Sequence, residues 1–209
     1  MDSIPETLFN LVKIYSPSGR EAAAVSYLVN RMQALHYTRA FTDAVGNAVG
    51  VMGDGPRQIV LLGHIDTVPG EIPVRVESIS INPSSPASMV LYGRGSVDAK
   101  GPLSAFVDAA AACGPKPGWQ ITVIGAVGEE QDSPGAQHIV PLYYPDYAII
   151  GEPSGWERVT LGYKGSAWAL VTVRRSRAHT AGQGESACEA VVRAWEAISA
   201  KAAGINLER

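Results

Sequence analysis

The chain has little of what marks a specialised environment. Its 209 residues include two cysteines, four histidines and three phenylalanines. Cys113 and Cys188 form no CxxC pair and lie in alanine-rich stretches, which excludes a disulfide framework and a thiolate metal site; both are expected to be reduced thiols inside a core. No apolar run approaches the roughly 18 residues that a membrane span needs. The opening MDSIPETLFN carries an acid and a proline where a secretory signal has a basic end and an apolar stretch, so a cytoplasmic location and no membrane partner are expected. The formal charge is only −3, with 18% charged and 46% hydrophobic residues, a balance that selects no polyanionic partner. Internal repeats and low-complexity tracts are absent.

What charge there is lies unevenly. Residues 1–157 carry a net −7 and residues 158–209 a net +4. The sequence texture changes at the same place, so one domain is expected over 1–157 and the beginning of a second over 158–209. Arg174, Arg175 and Arg177 cluster in the second part and read either as a solvated strand end or as a contact for an acidic group. No groove-reading motif or interleaved aromatics accompany them, so no nucleic-acid partner is expected.

Ser3 with Glu6, and Ser18 with Glu21, have capping-box spacing, and each precedes apolar residues at helical intervals. Two helices are therefore predicted to open the chain. Apolar runs at 47–52 and 58–62, split by GDGP, read as strands, and the Pro/Ser-rich 82–88 reads as a surface loop. MVLYG reads as a further strand, 102–113 as a helix, 120–127 as a strand, 133–140 as a short helix and 147–151 as a strand. Such alternation is the pattern of an α/β fold, a mostly parallel sheet flanked by helices. Beyond 158, two extended runs around Lys164-Gly165 and a helix over 186–203 follow.

Titratable residues recur where these strands end: His64 and Asp66 after QIVLL, Asp98 after MVLYG, Glu129 and Glu130 after ITVIGAV, Glu152 after AIIG. Ligand sites of open α/β sheets gather outside the carboxyl ends of the strands, so one shared site is expected. Each residue alone has an ordinary explanation as a hydrogen-bonded histidine, a solvated acid or a turn former. Converging carboxylates, however, repel and raise one another's pKa values unless a cation sits among them. Imidazole with carboxylates and no thiolate suits zinc, with cobalt or manganese possible by the same chemistry. Four carboxylates and a histidine exceed what one catalytic ion needs, so two ions about 3.5–4 Å apart, bridged by an aspartate, are expected. Asp66, two residues past His64, is placed to orient the imidazole. His36 and His138 fall in or beside predicted helices and read as surface residues.

In this order, GHIDTVP, GRGSVDAKG, the GEE of 128–130 and the GEPS of 151–154 resemble the motifs of the dinuclear zinc aminoacylase and carboxypeptidase family, which includes acetylornithine deacetylase and succinyl-diaminopimelate desuccinylase. The resemblance runs through nearly the whole chain. GNAVGVMGDGPRQIVLLGHIDTVPGEIPVRVE and LYGRGSVDAKGPLSAFVDAA are most similar to the branch that frees lysine or ornithine from an amino-group carrier protein, also described as N-acetyl-lysine deacetylase.

The resemblance implies a zinc-exopeptidase-like catalytic domain followed by the start of an α+β, ferredoxin-like lid through which two subunits form a homodimer. It implies two zinc ions: His64, Asp98 and Glu152 at one, Asp98 and Glu130 at the other. Glu129 would be the general base, and His179 in RAHTAG an oxyanion donor reaching across the dimer. The family's last ligand, a histidine near the C-terminus of a longer chain, has no counterpart here, so a truncated form is expected. The implied substrate is an N-acylated or carrier-protein-linked lysine or ornithine in amino-acid biosynthesis. A di- or tripeptidase of the same family, and a non-catalytic relic that binds metal or dimerises, are the alternatives.

Overall fold

The computed structural model describes residues 3–80, 87–155, 157–162, 169–176 and 184–207. The chain divides into two units, Met1–Val159 and Thr160–Arg209. The first opens with helices α1 (Glu6–Lys13) and α2 (Ala22–Ala34), followed by strands β1 (Arg39–Thr42), β2 (Ala48–Gly53) and β3 (Arg57–His64). Strands β4 (Arg75–Ile79) and β5 (Ser88–Tyr92), helix α3 (Lys100–Cys113), strand β6 (Trp119–Ala126), helix α4 (Pro134–Ile139) and strand β7 (Tyr147–Ile150) complete it.

Five strands form one sheet in the order β1-β2-β6-β3-β7. Strand β3 runs parallel to both β6 and β7, while β2 is antiparallel to β6 and to β1. Side chains alternate across a strand, and the core follows that period. Met52, Leu61 and Val123 face Leu11, Leu28, Met32, Leu103 and Val107 of the three long helices. Their neighbours Val49, Val51, Val60 and Ile124 face the other way, onto Ile139 of α4. This is the expected α/β arrangement, with helices on both faces of the sheet.

Because β3, β6 and β7 are parallel, their carboxyl ends reach the same edge. His64 stands beside Ala126, and Leu62 beside Ile150. The chain stays paired just past these ends: Ile65 N–H donates to Ala126 O at 2.8 Å and Gly151 N–H to Leu62 O at 2.7 Å.

Four expectations are corrected. The strand MVLYG is β5, which among the described residues pairs with β4 alone in a separate two-stranded ribbon, so Asp98 does not follow a strand of the main sheet. Neither expected capping box forms, since α1 and α2 have no side-chain cap and the Ser18 and Glu21 side chains are engaged elsewhere. Cys113 and Cys188 are free, as expected, but exposed and not in a core; Cys113 closes α3 beyond its last buried residue, Ala110. The extended runs around Lys164-Gly165 carry no strand in their described residues 158–162 and 169–173, and their centre, 163–168, lies outside the described residues.

In the second unit, α5 (Ala187–Leu207) begins with the reciprocal pattern that α1 and α2 lack. Glu189 N–H donates to Ser186 Oγ at 3.1 Å, and Ser186 N–H to Glu189 Oε2 at 2.8 Å, a true capping box. Among the described residues no helix is long and apolar enough to cross a membrane.

Candidate metal centre

His64 is the last residue of β3 and only 2% exposed. Its Nδ1 lies 3.0 Å from the backbone oxygen of Asp66 and 3.5 Å from the Asp66 carboxylate. Its Nε2 points into a ring of acids: Asp98 Oδ1 at 3.1 Å, Glu129 Oε2 at 3.9 Å and Glu152 Oε1 at 4.0 Å. Three of the four motifs arrive on the parallel strand ends. Asp98 comes instead from the turn entering α3, where Lys100 N–H donates to Gly95 O at 3.0 Å.

Two triads that could hold an ion share the imidazole, one made with Asp98 and Glu152, the other with Glu129 and Glu130; within each, the ligand atoms lie within 4.8 Å of one another. Around them a hollow of about 320 Å³ opens between Thr67, Arg94, Asp98 and Glu130. A second, of about 180 Å³, reaches His64, Glu129 and Glu152 past Leu62 and Ile150.

The electrostatics show what this cluster lacks. Burial alone would depress the His64 pKa, but hydrogen bonding to Asp66 and Asp98 and the charges of Glu152 and Glu129 outweigh it and carry it up to about 9. Burial raises Glu130 and Glu152; the imidazole opposes this, and the neighbouring carboxylates reinforce it. Carboxylates that drive one another towards protonation around a single imidazole are short of positive charge. A divalent cation fits such a donor set, and the absence of thiolate among the ligands is the chemistry of an oxygen- and nitrogen-bound ion.

Asp66, expected to aim His64, has several other hydrogen-bond partners. It is fully buried, and its carboxylate accepts from Ser18 Oγ at 2.6 Å and from the backbone N–H groups of Glu129 and Glu130, each at 3.1 Å. Burial opposes its ionisation, yet His64, Ser18 and these N–H groups pull its pKa down to about 2. The Asp66 backbone oxygen, nearer than the carboxylate, is the closest partner of Nδ1.

Sequence reasoning missed the residues that support the ring. Lys100 is 1% exposed, and its Nζ donates to Ile14 O at 2.6 Å and Leu11 O at 3.3 Å, tying the Asp98 turn to the end of α1. Burial lowers its pKa to about 8, with Asp66 opposing. Asn47, fully buried, and Glu21 hold the turn after β6. Lys100 and Asn47 were signalled only as polar residues beside an apolar run, and Glu21 only as half of an expected capping box. Of the expected surface histidines, His36 is exposed and His138 half-buried, its Nε2 3.9 Å from Asp43; neither belongs to the triads. His179 and Arg177 lie outside the described residues.

The fold is shared with solved peptidase structures. Aminopeptidase PepT from Bacillus cereus superposes with a TM-score of 0.56 at 21% identity, over 71% of this chain and 42% of that one. A Staphylococcus aureus tripeptidase gives 0.56 at 23% identity over the same shares. The sequence is more specific. The model of Peptidase family M20/M25/M40 matches residues 60–206, and the chain belongs to that family. The LysW-lysine hydrolase of Deinococcus radiodurans is 44% identical over 202 residues, covering 95% of this chain and 53% of that protein. A putative LysW-lysine/LysW-ornithine hydrolase of Thermococcus kodakarensis is 45% identical over 192 residues, 91% of this chain and 50% of its own. The chain thus spans about half the length of the curated relatives it matches.

Proposed function

We propose that this chain carries the metal centre of an amide hydrolase that releases lysine or ornithine from a carrier-protein-linked or N-acylated precursor in the cytoplasm. The observation that carries the reading is the convergence of His64 with Asp98, Glu129, Glu130 and Glu152 at the carboxyl edge of three parallel strands. The relatives named for LysW-linked lysine and ornithine support the substrate class.

In this reading His64, Asp98 and Glu152 would hold one zinc ion and Asp98 with Glu130 a second, Asp98 serving both; cobalt or manganese would suit the same donors. Bound metal supplies Lewis-acid polarisation of the scissile carbonyl and acidification of the attacking water. Glu129 would take a proton from the attacking water and return it to the leaving amine nitrogen, a role open to a half-exposed carboxylate beside the ligands. Asp66 keeps Glu129 and Glu130 at their stations through their backbone N–H groups. His179, which lies outside the described residues, would supply the oxyanion donor across a homodimer formed through the second domain, as the family resemblance implies.

The test is metal content and turnover together. The 209-residue chain, stripped and titrated calorimetrically with zinc, should bind two ions. In the form of the protein that hydrolyses carrier-linked or N-acyl lysine, Glu129→Gln should retain the metal and lose about 10²–10⁴-fold in kcat. A chain that binds no zinc would sink the metal reading, and a variant within a few-fold of wild type would remove Glu129 as the base. Free dipeptides turned over in preference to acyl-lysine would shift the substrate to a peptide.

A further inference from the structure

Four successive backbone N–H groups enter the turn that carries the two glutamates, and side chains from outside the turn hold all four. Val127 N–H donates to Asn47 Oδ1 at 3.0 Å, Gly128 N–H to Glu21 Oε1 at 3.2 Å, and the N–H groups of Glu129 and Glu130 to Asp66 Oδ1 and Oδ2, each at 3.1 Å. Asn47 and Asp66 lie next to strands of the sheet itself. Glu21 does not: it comes from the connection between α1 and α2, 107 residues away in sequence.

We propose that Glu21 is a positioning residue for the metal centre, clasping the turn that presents Glu129 and Glu130 to the N-terminal helical segment. The proposal rests on the reading above, in which those glutamates serve a metal-dependent hydrolase.

A carboxylate that is only 7% exposed is costly unless hydrogen bonds satisfy it. Helix capping does not account for it, because α2 has no side-chain cap bond. What Glu21 does hold is the N–H of Gly128 and, through the same oxygen, that of Gly19 at 2.9 Å. The segment bearing it is independently fastened to the exit of β3. Ser16 Oγ donates to Ile65 O at 2.9 Å, Thr67 N–H to Ser16 O at 3.0 Å, and Ser18 Oγ to Asp66 Oδ2 at 2.6 Å. Residues 16–21 therefore grip the exits of β3 and β6 together, and Glu21 is the only one of these contacts that lands on the glutamate turn directly. The span matched by the family model begins at residue 60, so this support lies outside it.

The contact is tested by Glu21→Ala and Glu21→Gln in the 209-residue chain, read by amide hydrogen exchange and by zinc titration well below each variant's unfolding temperature. Removing the acceptor should speed exchange at 128–130 about tenfold or more, with the β3 and β6 amides unchanged, and weaken zinc binding about 10–100-fold. Gln keeps an oxygen for both N–H groups and should stay within about threefold of wild type. Should Glu21→Ala fail to fold, Glu21→Asp, which keeps the charge and withdraws the oxygen from Gly128, should give the same local loss. Unchanged exchange at 128–130, or local exchange that rises while zinc affinity stays at the wild-type value, would overturn the proposal. A wild-type chain that binds no zinc would instead defeat the hydrolase reading, and the exchange measurement would still decide whether Glu21 holds the turn.

Discussion

Tyr37 shows how a single buried polar group is tied into this fold. It is 7% exposed, and its hydroxyl donates to Val107 O at 2.8 Å, joining the end of α2 to α3. Burial raises its pKa above the ordinary tyrosine range, and the charge of Asp108 adds to the rise. A phenol whose folded pKa lies above its unfolded value of about 10 contributes stability that is complete below that pH and is lost as pH climbs past it. Tyr37→Phe should therefore cost about 0.5–1.5 kcal/mol at neutral pH. In urea titrations the gap from wild type should narrow above pH 10; a gap that widened there would reverse the sign. At this scale the sequence was legible where chemistry is intrinsic to the residue. His64, Asp98, Glu129, Glu130 and Glu152 stood out as titratable groups beside apolar runs, whereas Glu21, Asn47 and Lys100 looked ordinary because their partners lie 80 or more residues away.

Among the elements, the turn after β6 is the most constrained. Gly128 has φ +70, and a Cβ there would stand 2.7 Å from Pro134 Cδ, so the backbone needs glycine on two independent counts. Gly128→Ala should cost about 1–3 kcal/mol and carry Glu129 with it. Denaturant unfolding measures the first effect and zinc titration the second; a variant with wild-type values for both would show that the turn tolerates displacement. The elements themselves were readable from periodicity, and β2, β3, α3, β6, α4 and β7 all fall where apolar spacing places them. Their ends were less so. Ser18 and Glu21 have capping-box spacing but are drawn off by Asp66 and Gly128, while Ser186 and Glu189, with the same chemistry, do cap a helix. Spacing sets what a side chain can reach, and competing partners decide what it takes.

At the scale of the molecule, β7 bounds the sheet, and among the described residues no strand pairs with its outer edge. Its side chains are apolar and exposed, Tyr147 at 57%, Ile149 at 52% and Ile150 at 54%. A bare apolar edge strand is a template for pairing with another chain. Sedimentation of the 209-residue chain should show self-association at tens of micromolar, and Ile149→Lys should shift it towards monomer, since a charge on the edge opposes strand addition. An Ile149→Lys variant that associates as strongly as wild type would place the contact elsewhere.

What the sequence determined by itself was the list of elements and the inventory of chemistry: apolar periodicity of two or 3.6 residues, and histidine and acids placed where strands stop. These are local properties, set by neighbours along the chain. Only the tertiary structure decided that β5 leaves the main sheet, so that Asp98 reaches the ring from a turn instead of a strand end. It also decided that Asp66 spends its carboxylate on the backbone of Glu129 and Glu130 and on Ser18. Hydrogen bonds between residues 48 to 107 positions apart depend on how the sheet is ordered and which helix lies over it, and no window of sequence contains that information.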